Sequence, residues 1–152
     1  LENCIVKGIC IDLRHVEPKS EITSSDLEEA VKKTGQPIPE NGTLLLCTGH
    51  HERTFPSAAY STDNPGVNIE ATKWIAEQGF VHFGIDSMRP GPIGDVNSLV
   101  HKICHEVNIT HLESLCNLEK LIGRGEFTFI CLPLAWRGGT GSPVRAVAVF
   151  DM

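Results

Sequence analysis

The chain lacks the patterns that mark several large classes of protein. Its six cysteines include no Cys-x-x-Cys pair, so it has neither a zinc-ribbon nor a thioredoxin-type motif. No stretch approaches the roughly 18 consecutive apolar residues of a membrane span, which excludes a helical membrane protein. Thirteen basic residues against 19 acidic ones give a net charge of -6. That balance argues against binding to nucleic acid or to an anionic membrane, since both need clustered positive charge.

The composition that remains is typical of one reduced globular domain. With 152 residues, 41% of them hydrophobic, the chain can bury a core without disulfides. Cys10 and Cys131 lie inside apolar runs, which predicts small buried thiols. The first residues carry neither the basic nor the apolar region of a signal peptide. We therefore expect reduced cysteines and a cytoplasmic location.

The apolar pattern alternates between strand and helix periods. It predicts strands at 5–13, 43–48, 80–85, 109–112, 127–132 and 144–150. Helices are predicted at 27–33, with an N-cap in 24–26, at 69–77, from Asp95 onward, and at 115–122. The polar segment 49–66 has no clear period and is predicted to be a functional or mobile loop. This alternation indicates an α/β domain with a parallel or mixed sheet, whose last two strands pair antiparallel.

Histidines and one glutamate are the candidate ligands for a metal. His101 and His105 are four residues apart and share a helix face, a spacing that occurs in zinc sites and equally in solvated histidine pairs. Glu113 lies among apolar neighbours and needs a cation or hydrogen-bond donors as partner. His111 alternates onto the same strand face as Glu113 and is a rival ligand.

Other features carry weaker signals. Cys104 beside His105 is disfavoured as a nucleophile pair, because adjacent helix residues point in different directions. The glycine-rich segment 137–143 does not match a phosphate-binding loop, since no Lys-Ser/Thr follows the glycines. It is expected to be a hairpin-like connection or a backbone wall beside a ligand. His50 and His51 are typical of surface residues, with substrate contact as the alternative.

Several short motifs together resemble one known family. They are residues 8–12 (GICID), 44–49 (LLLCTG), 64–67 (NPGV), 83–86 (FGID), His101, 112–118 (LESLCNL) and 141–146 (GSPVRA). In this order and spacing they resemble the cyclase family of metal-dependent hydrolases, which includes bacterial kynurenine formamidases and isatin hydrolases. The resemblance implies a swivelling β/β/α domain, with a mixed sheet flanked by helices, and a homo-oligomer. It also implies two divalent metals, the second held by His101 and Glu113 rather than by His105 and His111.

One departure from the family pattern affects these expectations. The family's His-x-Gly-Thr-His-x-Asp-x-Pro run, which supplies the first metal site, has no counterpart in this chain. The resemblance places that run upstream of Leu1. We therefore expect residues 1–152 to form a single cyclase-like domain without its N-terminal metal-motif segment. The chain is then the later part of a longer enzyme, which the missing initiator Met favours, or a truncated paralogue.

The function implied by the resemblance is metal-dependent hydrolysis of a carbon–nitrogen amide bond. The substrate is expected to be a small molecule, an N-formyl arylamine as in tryptophan catabolism or a cyclic amide. The cofactor is expected to be a divalent metal, zinc or else manganese, since histidine and carboxylate ligands accept both. No catalytic residue can be assigned within the chain, because the family's general acid/base lies upstream. The alternative is a non-catalytic binding or assembly domain that keeps the fold without a complete metal site.

Overall fold

A six-stranded mixed sheet organises the chain. The structure, a computed structural model, describes residues 2–150. The sheet has the order β6-β5-β3-β1-β7-β8, and a separate two-stranded sheet pairs β2 with β4. The strands are β1 (Ile5–Asp12), β2 (Glu21–Ile22), β3 (Thr43–Cys47), β4 (Gly66–Val67), β5 (His82–Ile85), β6 (Thr110–Leu112), β7 (Phe127–Ile130) and β8 (Val147–Val149). The helices are α1 (Ser24–Thr34), α2 (His50–Thr54), α3 (Ala59–Thr62), α4 (Ile69–Glu77) and α5 (Asp95–Glu106).

Pairing direction divides the sheet into two parts. Strands β1, β3, β5 and β6 run parallel, in a register that aligns Gly8 with Thr43, Thr43 with His82, and His82 with Thr110. Strands β7 and β8 are antiparallel additions beside β1, as the pattern predicts. Every residue of β3 is buried, as expected for a central strand that is covered on both faces. The predicted α/β fold with a mixed sheet is confirmed.

Two apolar layers cover the two faces of the sheet. One face packs against α1, α4 and α5 through a core that includes Leu27, Ile75, Val100 and Phe83. On the other face, apolar side chains of the strands pack against apolar side chains of the segment that follows β6. The buried residues of this second core are Cys10, Leu45, Cys47, Leu112, Leu115, Leu118, Phe127, Phe129 and Cys131. Cys10 and Cys131 are both buried, as predicted. Within residues 2–150, no helix combines the length and apolarity needed to cross a membrane.

Helix ends follow from local side-chain chemistry. The N-cap of α1 is Thr23 rather than a residue of 24–26, because Thr23 Oγ1 accepts the Asp26 N–H while Asp26 accepts the Thr23 N–H. The helix ends at Gly35, whose φ of 64° is the left-handed conformation that glycine adopts without strain. Asn68 caps α4, because its side-chain oxygen accepts a hydrogen bond from the Ala71 N–H.

Two predicted segments differ from the structure. Segment 49–66 is not a plain loop, since it contains α2, α3 and the start of β4, which are too short to show a hydrophobic period. Segment 115–122 is not an α-helix, and only Leu118–Leu121 forms a 3-10 turn. The left-handed backbone of Asn117, with φ of 61°, stops a helix from running through this segment. The last strand is also shorter than predicted and spans only Val147–Val149.

Candidate metal centre

The end of β6 presents two candidate ligands on one face. His111 and Glu113 alternate with Leu112, whose side chain is buried against the sheet. Immediately after Glu113 the chain turns sharply, because Ser114 has a left-handed φ of 57°. Two hydrogen bonds then fix this turn to the end of β5, from Ser114 N–H to Ser87 O at 2.8 Å and from Leu115 N–H to Ile85 O at 3.1 Å. The backbone on either side of Glu113 is therefore held by the sheet.

Helix α5 supplies the third candidate ligand. Val100, Ile103 and Cys104 form its buried face, while His101 lies on the exposed side and faces the end of β6. His101 Nε2 lies 3.7 Å from Glu113 Oε1, and His111 Nε2 lies 3.4 Å from the same oxygen. The two imidazole rings meet edge to face, with centroids 4.6 Å apart. All three ligand atoms lie within 4.8 Å of one another.

His101 and His105, whose spacing occurs both in zinc sites and in solvated pairs, do not form a ligand group. Among the described residues, the cluster of three or more metal-binding side chains consists of His101, His111 and Glu113. His105 lies one turn further along α5 and stays outside it. Conversely, His111 joins His101 and Glu113, whereas the sequence presents it as a rival of Glu113. The roles of these side chains as ligands stay predictions, while their proximity is a feature of the structure.

The electrostatics of the cluster suit a cation. Burial lowers the pKa of His101, the neighbouring His111 lowers it further, and Glu113 opposes the shift. A lowered pKa keeps the imidazole unprotonated near neutral pH, and unprotonated imidazole is the form that binds metal. Two imidazole nitrogens and one carboxylate oxygen are also a donor set that zinc and manganese both accept. The residues present therefore fit a divalent metal.

A buried aspartate joins the carboxyl ends of β3 and β5. Asp86 is 3% exposed and accepts three hydrogen bonds, from Thr48 N–H at 3.1 Å, Thr48 Oγ1 at 2.5 Å and Gly49 N–H at 2.7 Å. Burial raises the pKa of Asp86, and the hydrogen bonds oppose that shift. The motifs 44–49 and 83–86 contain both of these strand ends, but Asp86 has no predicted role. The pattern that could have indicated its role is a Thr-Gly pair after one buried strand and a carboxylate after the next, because neighbouring parallel strands end at the same edge of a sheet.

The tandem histidines at the start of α2 differ from their prediction as surface residues. His50 is buried, with only 1% of its surface exposed, and its Nε2 lies 2.9 Å from the Tyr60 carbonyl oxygen. His51 is half-buried and stacks on the ring of Phe55 at 4.9 Å. Tyr60 packs against both histidines. His50 therefore contributes to packing, and substrate contact by His51 stays untested.

An open cleft lies in front of the cluster. It has a volume of about 1630 Å³, and its walls include the three candidate ligands and most of segment 133–148. The glycine-rich segment connects the antiparallel strands β7 and β8, as one of its two predicted roles requires, and it also borders the cleft. Its predicted role beside a ligand stays a prediction. Cys104 also borders the cleft, but burial raises the pKa of its thiol to about 11. A protonated thiol is a poor nucleophile, which agrees with the low expectation for a Cys104–His105 pair.

Comparisons with known proteins identify the relatives of this chain. Kynurenine formamidase from Bacillus thuringiensis is 30% identical over 146 residues, which is 93% of this chain and 66% of that protein. Isatin hydrolase from Roseibium aggregatum is 27% identical over 138 residues, covering 84% of this chain and 52% of that protein. The chain thus spans at most about two thirds of the length of these relatives.

Solved structures share the fold. An isatin hydrolase bound to the product analogue thioisatinate superimposes with a TM-score of 0.85 at 23% identity, over 99% of this chain and 62% of that one. A potential metal-dependent hydrolase with cyclase activity gives a TM-score of 0.77 at 20% identity, over 97% of this chain and 66% of that one. The Cyclase family model matches residues 1–92, more than half of the sequence. This chain belongs to the cyclase family.

Proposed function

We propose that this protein is a metal-dependent hydrolase of an amide bond and that His101 and Glu113 bind its divalent metal. The observation that carries the proposal is the approach of His101 Nε2 to Glu113 Oε1, at 3.7 Å, across two elements that are distant in sequence. The names of the relatives support it, since kynurenine formamidase and isatin hydrolase both describe hydrolysis of a carbon–nitrogen bond. Two structural neighbours are also described as metal-dependent hydrolases.

The side chains of the site have distinct roles in this proposal. When bound, a divalent cation polarises a substrate carbonyl and lowers the pKa of water toward neutrality. His101 and Glu113 bind and orient that cation in their unprotonated forms. The hydrogen bonds of Ser114 and Leu115 to β5 hold Glu113 in place while His101 approaches from α5. We propose zinc as the metal, with manganese as the alternative that the same ligands accept.

The cleft supports an aromatic substrate. Trp136 borders it and is 57% exposed, while its indole N–H donates to the Gly141 carbonyl at 3.1 Å. That bond holds the indole beside the glycine-rich wall, where a flat ring has room to stack. We propose an N-formyl arylamine, as an arylformamidase of tryptophan catabolism would use, or a cyclic amide.

The test measures metal content and hydrolysis on the same samples. The chain is stripped with a chelator, reloaded with zinc or manganese, and assayed with N-formylkynurenine and with isatin. Glu113→Gln is expected to lower metal content and hydrolysis together. Glu106→Gln is the matched control, because Glu106 lies on the exposed face of α5 in an ion pair with Lys102. Unchanged metal content in Glu113→Gln would remove Glu113 from the site. Normal metal binding without hydrolysis of either substrate would favour the alternative, a non-catalytic binding domain.

We also propose that the protein is a cytoplasmic homo-oligomer. All six cysteines lie within residues 2–150 and are free thiols, which suits a reducing compartment. Large apolar side chains are also exposed along residues 132–149, at Leu132, Leu134, Val147 and Val149. Exposed apolar side chains that gather in one part of a chain are typical of interaction sites, and a second copy of the chain is the proposed partner.

A further inference from the structure

We infer that His111 is a direct third ligand, so that His101, His111 and Glu113 supply a His₂Glu set for one zinc ion. This inference rests on the proposed metal-binding role of His101 and Glu113 and adds a residue to it. It differs from the expectation that residues outside the chain must complete the coordination of the metal. It also changes the role of His111 from a rival of Glu113 to its partner.

The separations within the cluster carry the inference. A carboxylate and an imidazole that share a charge-assisted hydrogen bond lie about 2.7–2.9 Å apart. The distances from Glu113 Oε1 are 3.4 Å to His111 Nε2 and 3.7 Å to His101 Nε2. Ligands that bind one tetrahedral zinc at about 2.0–2.1 Å lie about 3.3–3.4 Å from each other. Both distances are therefore too long for a good direct bond and close to the separation of atoms that share a cation.

The exposure of two of the three side chains leaves them room to rotate, so that the cluster can contract around an ion. The His111 side chain is 19% exposed, and its ring packs at 5.9 Å from that of Phe83, so it is the most restrained of the three. The side chains of His101 and Glu113 are 44% and 36% exposed. The three ligand atoms lie no more than 4.8 Å apart. Small rotations of the His101 and Glu113 side chains would bring them to the separation of about 3.3–3.4 Å that ligands of one tetrahedral zinc have. His111 therefore acts as the fixed corner of the site.

The ligand number determines what the site can do. Three protein ligands, two histidines and one glutamate, leave the fourth position of a tetrahedral zinc open. The exposed sides of His101 and Glu113 border the cleft, so the open position is reached from there. A two-ligand site would hold zinc weakly unless further ligands joined it. A three-ligand site is expected to bind one zinc per chain.

The experiment measures zinc affinity and counts imidazole ligands separately. Zinc affinity is determined by competition with a chromophoric chelator, and zinc-edge X-ray absorption counts the coordinated histidines. His111→Phe keeps a ring against Phe83, His111→Gln is a second replacement, and His105→Gln is the control on α5. We expect two imidazoles in the wild type and in His105→Gln, and one in both His111 variants. We also expect both His111 variants to bind zinc at least 100-fold more weakly, since each loses a ligand and not merely an orienting group. Circular dichroism verifies that each variant is folded.

The possible failures are distinguishable. One imidazole in the wild type, or unchanged zinc affinity in both His111 variants, would overturn the third-ligand inference while leaving His101 and Glu113 in place. An affinity loss with two imidazoles still bound would overturn it too, because His111 would then act only by positioning Glu113. If zinc binding is absent, or is insensitive to His101→Gln and Glu113→Gln, the proposed metal centre itself fails.

Discussion

Replacing Asp86 by alanine tests how the two strand ends beside the site are held together. The carboxylate is 3% exposed and accepts three hydrogen bonds from Thr48 and Gly49. Hydrogen bonds to a charged group contribute about 1.5–3 kcal/mol each, so three set an upper bound of about 5–9 kcal/mol. The cost of burying the charge, which also raises the pKa of Asp86, offsets part of this. Asp86→Ala would leave three buried donors without a partner, at about 1–3 kcal/mol each, while the cost of burying the charge is recovered. We therefore expect it to lower the free energy of unfolding by about 3–5 kcal/mol.

Urea unfolding at pH 7 with linear extrapolation measures this loss. Asp86→Asn keeps the shape but turns an amide N–H₂ toward one of the donors, so we expect an intermediate loss of about 1–3 kcal/mol. Asp63→Ala is the control, because Asp63 lies in a surface pair with Lys19 at 3.1 Å, and pairs of this kind contribute little to the free energy of unfolding. A loss below about 1 kcal/mol in Asp86→Ala would refute the reasoning, since the three donors would then find other partners at little cost.

Three further predictions concern the packing, the pH dependence and the association of the chain. In Gly66→Ala the new Cβ would overlap the backbone of Gly91, so we expect the free energy of unfolding in urea to fall by about 3 kcal/mol. Gly141→Ala is the control, because its Cβ would meet no atom within 4 Å, and we expect it to change that free energy by less than about 0.5 kcal/mol. Burial lowers the pKa of His82 from 6.5, so below that pH the unfolded state binds the extra proton and stability falls as pH falls. The wild type should lose up to about 1.4 kcal/mol per pH unit between pH 6.5 and 5.5 relative to His82→Leu, and parallel pH profiles would contradict this. Leu132→Glu is expected to convert the proposed oligomer to a monomer in sedimentation equilibrium, because Leu132 is exposed in the proposed interface, and a monomeric wild type would remove that interface.

Local patterns account for the parts of the fold that the sequence predicts. Strand β3 is a continuous apolar run, and it is buried on both faces. Helix α1 begins after the capping residue Thr23 and ends at Gly35, and helix α4 begins after the capping residue Asn68. These are the local signals that mark helix ends in a sequence, so the predicted bounds of both helices agree with the structure within a few residues. Segment 115–122 shows the limit of such rules. Its apolar residues suit a helix, but they are used instead to cover the second face of the sheet after a left-handed Asn117.

The candidate site depended on information that a single sequence does not contain. Alternation in β6 places His111 and Glu113 on one face, but it cannot say whether both reach the same point. Which histidine of α5 joins them depends on how that helix packs beside the edge strand, and packing selects His101 rather than His105. The burial of His50 likewise depends on Tyr60, ten residues further along the chain. These are tertiary contacts, which periodicity does not determine.

The central claim is that one divalent metal is bound by His101, His111 and Glu113. Crystals of the chain soaked in zinc, with data collected on both sides of the zinc absorption edge, test it most directly. We predict one anomalous peak per chain, about 2.0–2.2 Å from a nitrogen of each histidine and from a Glu113 carboxylate oxygen. A peak bound elsewhere, for example at His105 or His51, with these three side chains empty, would contradict the claim.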